Sequence, residues 1–248
     1  MILTPDWPAP PAVRAAFTLR MGGVSAAPYD SLNLGARVGD SPEAVEENRR
    51  RIREQLRLPD DPVWLEQVHG TAVLNLDEYN TTPTLPRADA AVAQSAGRVC
   101  AVQVADCMPV LFAARDGSAV GVAHAGWRGL SAGVLESTLR GLDAQVSQLL
   151  AWMGPAIGAA HFEVGDDVRA AFMAEDVGAA GAFVANPRGR WQCNLYALAR
   201  RRLAALGVSE IYGGGWCTYA DAERFFSFRR DGVCGRMAAL IWIEPGRT

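Results

Sequence analysis

Residues 99–129 read VCAVQVADCMPVLFAARDGSAVGVAHAGWRG, and this stretch decides the fold. It holds three short apolar runs, Val99–Val104, Val110–Ala113 and Ala119–Ala123, each with strand character. They do not alternate apolar with polar. Unbroken apolarity over four to six residues predicts strands buried on both faces, beneath covering helices. Ala238–Ile243 near the C-terminus reads the same way.

Helices flank these runs. Ser41-Pro42 has the form of an N-cap followed by proline at the first helical position, and Val45, Ile52 and Leu56 then recur at helical spacing. Leu135, Leu139, Leu142, Val146 and Leu149 predict a second amphipathic helix. Leu195, Ala199, Leu203 and Leu206 predict a third, ended by Gly207. The fold class expected is α+β, with mixed buried β-sheets covered by helices. No linker, charge block or repeat divides residues 1–248, so one compact domain is expected.

The composition is that of a globular chain long enough to bury a core without staples: 248 residues, 50% hydrophobic, mean hydropathy +0.03. Lys+Arg 24 against Asp+Glu 27 gives a net charge of −3, so no basic footprint argues for nucleic acid. The N-terminus has prolines at 5, 8, 10 and 11 and no basic flank before an apolar run, which excludes the pattern of a signal peptide. The longest apolar stretches fall short of a membrane span. A cytoplasmic, membrane-free protein is expected. Nothing in the sequence bears on its oligomeric state.

The scarce residues carry the chemistry. Five cysteines, without a CxxC, form neither a disulfide framework nor a zinc finger, and three histidines cannot furnish several imidazole-rich copper centres. His69 lies in EQVHG before a glycine turn, Cys107 in DCMP at the break between two apolar runs, and His124 at the end of GVAH, before AGWRG. All three fall at strand ends or turns, where a scaffold presents functional groups. Two imidazoles and a thiolate are three good ligands for Zn²⁺, leaving the fourth position for water or substrate. The same residues also suit a Cys–His nucleophilic dyad, or two hydrogen-bonded histidines and a small buried thiol. These readings stay open on spacing alone.

AGWRG, with a helix expected to begin near Ser131, would place backbone N–H groups and Arg128 beside the triad as an anion site. Its spacing is not that of a nucleoside-triphosphate loop. A third segment, TLRMGGVS followed by PYDSLNLG, offers Arg20 and Asn33 for polar recognition of a small ligand. His161 reads as structural or peripheral. Arg229-Arg230-Asp231-Gly232 with Gly235-Arg236 reads as a solvated charged turn.

Taken together, TLRMGGVSAAPYDSLNLG, GDSPEAVEENRRRI, EQVHG, ADAAVA, ADCMPVLF, AHAGWRG, GPAIGAAHFEVG and CTYADAERFFSFRRDGVCGR resemble the laccase-domain, or polyphenol-oxidase-like, family now described as purine nucleoside phosphorylases. The motifs follow the family's order from about Phe17 to Trp242. The resemblance implies a catalytic Zn²⁺, with Cu²⁺ as the alternative, on His69, Cys107 and His124. It implies substrate or phosphate contacts from Arg20, Asn33 and Arg128. The implied activity is phosphorolysis of adenosine, inosine and methylthioadenosine with adenosine deamination, so the partners implied are purine nucleosides and phosphate. Copper-dependent polyphenol oxidation and an amide hydrolase editing peptidoglycan precursors are the alternatives attached to the same site. The chain departs from the family pattern at His161, where relatives often carry Cys, and at Asn194, where Asp is common.

Overall fold

A computed structural model of the protein describes residues 1–80 and 84–246. In chain order it contains β1 (Ile2–Leu3), β2 (Val13–Thr18), α1 (Pro42–Leu56), β3 (Val73–Asn75), β4 (Ala90–Ala93), β5 (Val99–Val104), β6 (Met108–Ala114) and β7 (Val120–Ala125). There follow α2 (Trp127–Ala132), α3 (Val134–Gly141), β8 (Leu149–Met153), β9 (Glu163–Val164), α4 (Asp166–Glu175), β10 (Phe183–Ala185), β11 (Trp191–Cys193), α5 (Leu195–Ala205), β12 (Glu210–Gly213), α6 (Phe228–Asp231) and β13 (Met237–Ile243).

The continuous apolarity of the strands has a simple cause. A four-stranded antiparallel sheet, β1-β2-β13-β5, stacks on a six-stranded mixed sheet, β12-β8-β6-β7-β4-β3. In β13, Met237, Ala239 and Ile241 point between the sheets, whereas Ala238, Leu240 and Trp242 join Leu32, Leu34 and Ile52 under α1. In β6, Leu111 and Ala113 face the other sheet, and Val110 and Phe112 face Leu135, Leu139, Leu198 and Leu203 of α3 and α5. Each central strand therefore buries both of its period-2 faces, one on a sheet and one on helices. The result is a mixed α/β stack of helix, sheet, sheet and helices, as the sequence predicts. A small antiparallel sheet, β10-β11-β9, lies outside it.

Local signals hold where a cap or a stop is encoded. The Ser41 side chain accepts from Ala44 N at the start of α1, and Gly207 takes φ 91 beyond α5. The helix expected over Leu135–Leu149 is shorter: α3 ends at Gly141, Asp143 adopts φ 48, and Leu149 opens β8. Leu142 and Leu149 both reach the helix-side core, so buried residues at heptad spacing arise here without one continuous helix. The helix expected near Ser131 begins instead at Trp127, with Gly126 as its N-cap. The segment read as a solvated turn forms α6, and its flanks reach the cleft described below.

Candidate metal centre and its cleft

Each triad residue reaches the site by a different route. Cys107 lies where the chain crosses from β5 in one sheet to β6 in the other. His124 is on β7, in register with Pro109 of β6, so the antiparallel β6–β7 pairing carries Cys107 and His124 to one end of the sheet. His69 arrives on a loop and adopts the left-handed backbone, φ 62. One ligand atom from each residue lies within 4.8 Å of the others, and His69 Nε2 is 3.9 Å from Cys107 Sγ. Tetrahedral Zn²⁺ with bonds of ~2.1 Å to nitrogen and ~2.3 Å to sulfur separates its ligand atoms by roughly 3.4–3.6 Å. The three donors therefore fit one ion after movements of about 1 Å. Among the described residues no fourth His, Cys, Asp or Glu joins the group.

Asp89 organises the centre, and its role is not legible from spacing. Its side chain is fully buried. Oδ1 accepts from His124 Nδ1 at 2.9 Å and from His69 N at 2.9 Å, while Oδ2 accepts from Gly70 N at 2.7 Å and Val68 N at 3.2 Å. With Nδ1 of His124 donating to a carboxylate, it is Nε2, on the thiol side, that frees a lone pair when the ring gives up its second proton, the tautomer a metal needs. The same carboxylate closes the 68–70 turn, which holds His69 in its strained conformation. Burial alone would raise the Asp89 carboxyl, but the bonds from His124 and the Gly70 and Val68 amides hold it below the usual range.

The electrostatics favour a charged thiolate. Burial would push the Cys107 thiol up; the charge and hydrogen bonds of His124 and His69 outweigh it and bring it down to about 6. Burial would lower His124, yet Cys107 and Asp89 raise it to about 9. Without metal the centre is thus a thiolate–imidazolium pair, and a cation that replaces the proton on His124 meets a preformed anionic ligand. Room for the sulfur depends on Gly126, where a Cβ would fall 2.8 Å from Cys107 Sγ and 3.2 Å from His69 Cδ2.

The triad opens on a cleft of about 410 Å³, within the ordinary range for small-ligand sites. Its other walls include Arg37, Glu66, Gln103, Phe228 and Arg236. Glu66 is paired with Arg37 at 2.6 Å. Phe228 is 56% exposed, and the Arg236 guanidinium lies 5.7 Å from its ring centroid.

The remaining sequence-predicted residues do not line this cleft. Arg20 donates to the backbone and carboxylate of Asp30 and to Ala222 O, and lies 4.9 Å from the Phe226 ring centroid, so its fork is engaged inside the fold. Arg128 is exposed and stacks 4.4 Å from the Trp127 ring. Asn33 is buried and clamps backbone, accepting from Gly35 N and Arg236 N. His161 stacks on Tyr219 and sits 3.5 Å from Cys217 Sγ, away from the triad. Asn194 caps α5 by accepting from Ala197 N, a task Asp performs equally well.

With this geometry in view, residues 14–244 match the family model described as multi-copper polyphenol oxidoreductase laccase. The chain belongs to this family. Among its curated members, purine nucleoside phosphorylase PA4543 of Pseudomonas aeruginosa is 53% identical over 244 residues, covering 98% of both chains. Purine nucleoside phosphorylase YfiH of Escherichia coli is 52% identical over the same length, again with 98% of both chains covered. The crystal structure of NMB0706 from Neisseria meningitidis superposes with a TM-score of 0.94 at 48% identity, covering 98% of this chain and 99% of that one. YlmD from Geobacillus stearothermophilus gives 0.83 at 31% identity, with 95% and 93% covered. The family's multi-copper description sits uneasily with the site, because the chain has three histidines in all and, among the described residues, two of them join Cys107 in one ligand group sized for one ion.

Proposed function

We propose that this chain is a metal-dependent purine nucleoside phosphorylase, acting on adenosine, inosine and methylthioadenosine in the cytoplasm, with an adenosine deaminase side activity. The observation that carries the reading is an N, N, S ligand triad, open on one side, at the wall of a nucleoside-sized cleft. Family members more than half identical over their full length bear the phosphorylase name.

His69, Cys107 and His124 would hold the ion, and Zn²⁺ suits the set: a borderline-soft cation on two imidazoles and a thiolate, with one position left. Bound there, it supplies Lewis acidity, the chemistry that both deamination and nucleoside cleavage draw on. The protein's own residues do the rest. Asp89 fixes the tautomer of His124 and the turn of His69. Phe228 presents an aromatic face on which a purine stacks. In phosphorolysis an oxygen of phosphate bonds to C1′ as the C1′–N9 bond breaks. The electron pair leaves with the purine, which takes up a proton, while a cationic side chain would hold the incoming phosphate against the face of the sugar it attacks.

The family's description keeps a single Cu²⁺ on the same ligands as the second reading. Protein purified without added metal is analysed for zinc and copper, then incubated with inosine with and without phosphate. Hypoxanthine and ribose 1-phosphate formed only with phosphate, by a zinc protein and not by Cys107→Ala or His124→Ala, is the expected result. Tightly bound copper with phenol turnover would replace the reading. A phosphate-independent product, or His124→Ala equal to wild type, would remove it. Release of amino acids from peptidoglycan precursors would point instead to an amide hydrolase on the same residues.

A further inference from the structure

We propose that Arg236 is the oxyanion-binding residue of the cleft, and that its Nε–Nη2 edge is the seat of the attacking phosphate; the identity of that anion rests on the phosphorylase reading above. Arg20 spends four of its five guanidinium donors on Asp30 and Ala222, and neither Arg20 nor Arg128 lines the triad's cavity. Arg37 shares the cleft but is already paired with Glu66 at 2.6 Å. Arg236 shares it too, and among the described residues it has no carboxylate within ion-pair distance.

Its placement is built, not incidental. Arg236 directly precedes β13, and both sides of its peptide are tied to the 33–35 segment: its N–H donates to Asn33 Oδ1 at 2.8 Å and its carbonyl accepts from Leu34 N at 3.0 Å. Asn33, fully buried, is itself braced by Asp40 and Asn48. The aliphatic stem lies on Gly35, where a Cβ would come within 2.7 Å of Arg236 Cγ. One nitrogen of the guanidinium is fastened: Nη1 donates to Cys234 O at 2.9 Å and Gly235 O at 3.1 Å. Of five guanidinium donors, the three on Nε and Nη2 are left without a protein acceptor among the described residues.

A planar pair of N–H groups, locked in orientation and lacking a counter-charge, matches two oxygens of a tetrahedral phosphate. Fixing the fork before the anion arrives removes the ordering cost that a free surface arginine would meet. Asn33 then acts on the anion through Arg236, as a positioning residue and not as a direct contact.

The test compares wild type with Arg236→Gln, Arg236→Lys and Gly35→Ala, each checked for metal content and melting temperature. In inosine phosphorolysis, Arg236→Gln is expected to raise KM for phosphate on the order of 30–100-fold, equivalent to about 2–3 kcal/mol, with KM for inosine moving less than threefold. Arg236→Lys keeps the charge but loses the fork and should fall between. Gly35→Ala keeps the arginine but displaces its stem and should reproduce much of the phosphate defect. A phosphate KM within threefold of wild type in Arg236→Gln would overturn the proposal and leave the phosphorylase reading intact. Equilibrium dialysis with radiolabelled inorganic phosphate separates the two further. If wild type cleaves no inosine yet binds phosphate and Arg236→Gln does not, the anion site stands and the phosphorylase reading fails. Equal phosphate binding by both, or none by wild type, sinks the Arg236 assignment.

Discussion

Replacing Asp89 with Asn should damage the fold and the metal site together, by separable amounts. The carboxylate accepts four hydrogen bonds, two on each oxygen. An asparagine keeps one oxygen. If that oxygen stays on His124 and His69 N, its NH₂ group faces the Gly70 and Val68 amides, donor against donor. If it turns round, His124 Nδ1 loses its acceptor instead. Either way two donors lose their acceptor; the 68–70 amides are part-buried, so each costs toward the low end of roughly 1–3 kcal/mol and the metal-free protein should lose about 2 kcal/mol after relaxation. Loss of a carboxylate behind a ligating histidine further predicts a 10–100-fold weaker Zn²⁺ affinity. Urea unfolding of chelator-treated protein measures the first quantity, and competition with a chromophoric chelator the second. The pH dependence has a definite sign. The folded carboxyl lies below its unfolded value, so its stabilisation is complete above the unfolded pKa, ~3.9, and fades as pH falls through the folded one. The gap between wild type and Asp89→Asn should therefore be largest near neutrality and close in acid. Unfolding free energies within about 0.5 kcal/mol of each other, less than one orphaned donor should cost, with Zn²⁺ affinities within twofold, would refute the reasoning.

Three further outcomes follow from the same geometry. Gly126→Ala adds a Cβ 2.8 Å from Cys107 Sγ at φ −64, a backbone any residue adopts, so its effect is steric: Zn²⁺ binding weakens at least tenfold while circular dichroism is unchanged. In metal-free protein, Cys107 is a thiolate above about 6, so its alkylation by iodoacetamide should hold steady from pH 8 to 7 and fall only through pH 6; in His124→Ala the fall should move toward the ordinary thiol value of ~8.5. Phe228→Ala should raise KM for inosine roughly tenfold by removing a stacking surface; because the Arg236 guanidinium lies 5.7 Å from the centroid of the same ring, KM for phosphate should rise as well, though by less than in Arg236→Gln.

The sheet strands were legible because burial on both faces leaves an unmistakable mark: Val99–Val104 is β5 with the bounds read from the sequence. The apolar pattern also drew one helix too long, since Leu142 and Leu149 pack on the same core from a turn and a strand. The triad residues were visible as rare side chains at strand ends. What joins them was not, because Asp89 stands 20 residues from His69 and 35 from His124, and meets His124 through the β4–β7 pairing and His69 through the β3–β4 pairing. Its one local signal is a carboxylate opening an all-buried strand, Ala88-Asp89-Ala90-Ala91, where a charge has no place without partners. Arg236 is hidden in the sequence for the opposite reason. Next to Arg229, Arg230 and Asp231 it looks like part of a solvated turn, and only the Asn33 clamp, some 200 residues away in sequence, aims it into the cleft.

The two loop-borne ligands share a device that bears on how the site forms. His69 itself has φ 62, and the residue before Cys107, Asp106, has φ 88, a left-handed backbone that non-glycine residues adopt at a cost of order 1–3 kcal/mol. A buried carboxylate holds each. Asp89 takes the three amides of the 68–70 turn. Asp106 takes Thr218 Oγ1 at 2.6 Å and Arg229 N at 2.7 Å on its side chain, and Ile157 N at 3.0 Å on its carbonyl. Three segments distant in sequence thus converge on the residue beside Cys107. His124 needs no such brace, since it lies on a central strand whose register fixes its face. The strain at both loops is therefore met by protein contacts, which hold the two ligand-bearing turns within about 1 Å of the positions an ion needs. Cutting one brace, as in Asp106→Ala, should loosen Cys107 and lower metal affinity even though no ligand atom has been touched.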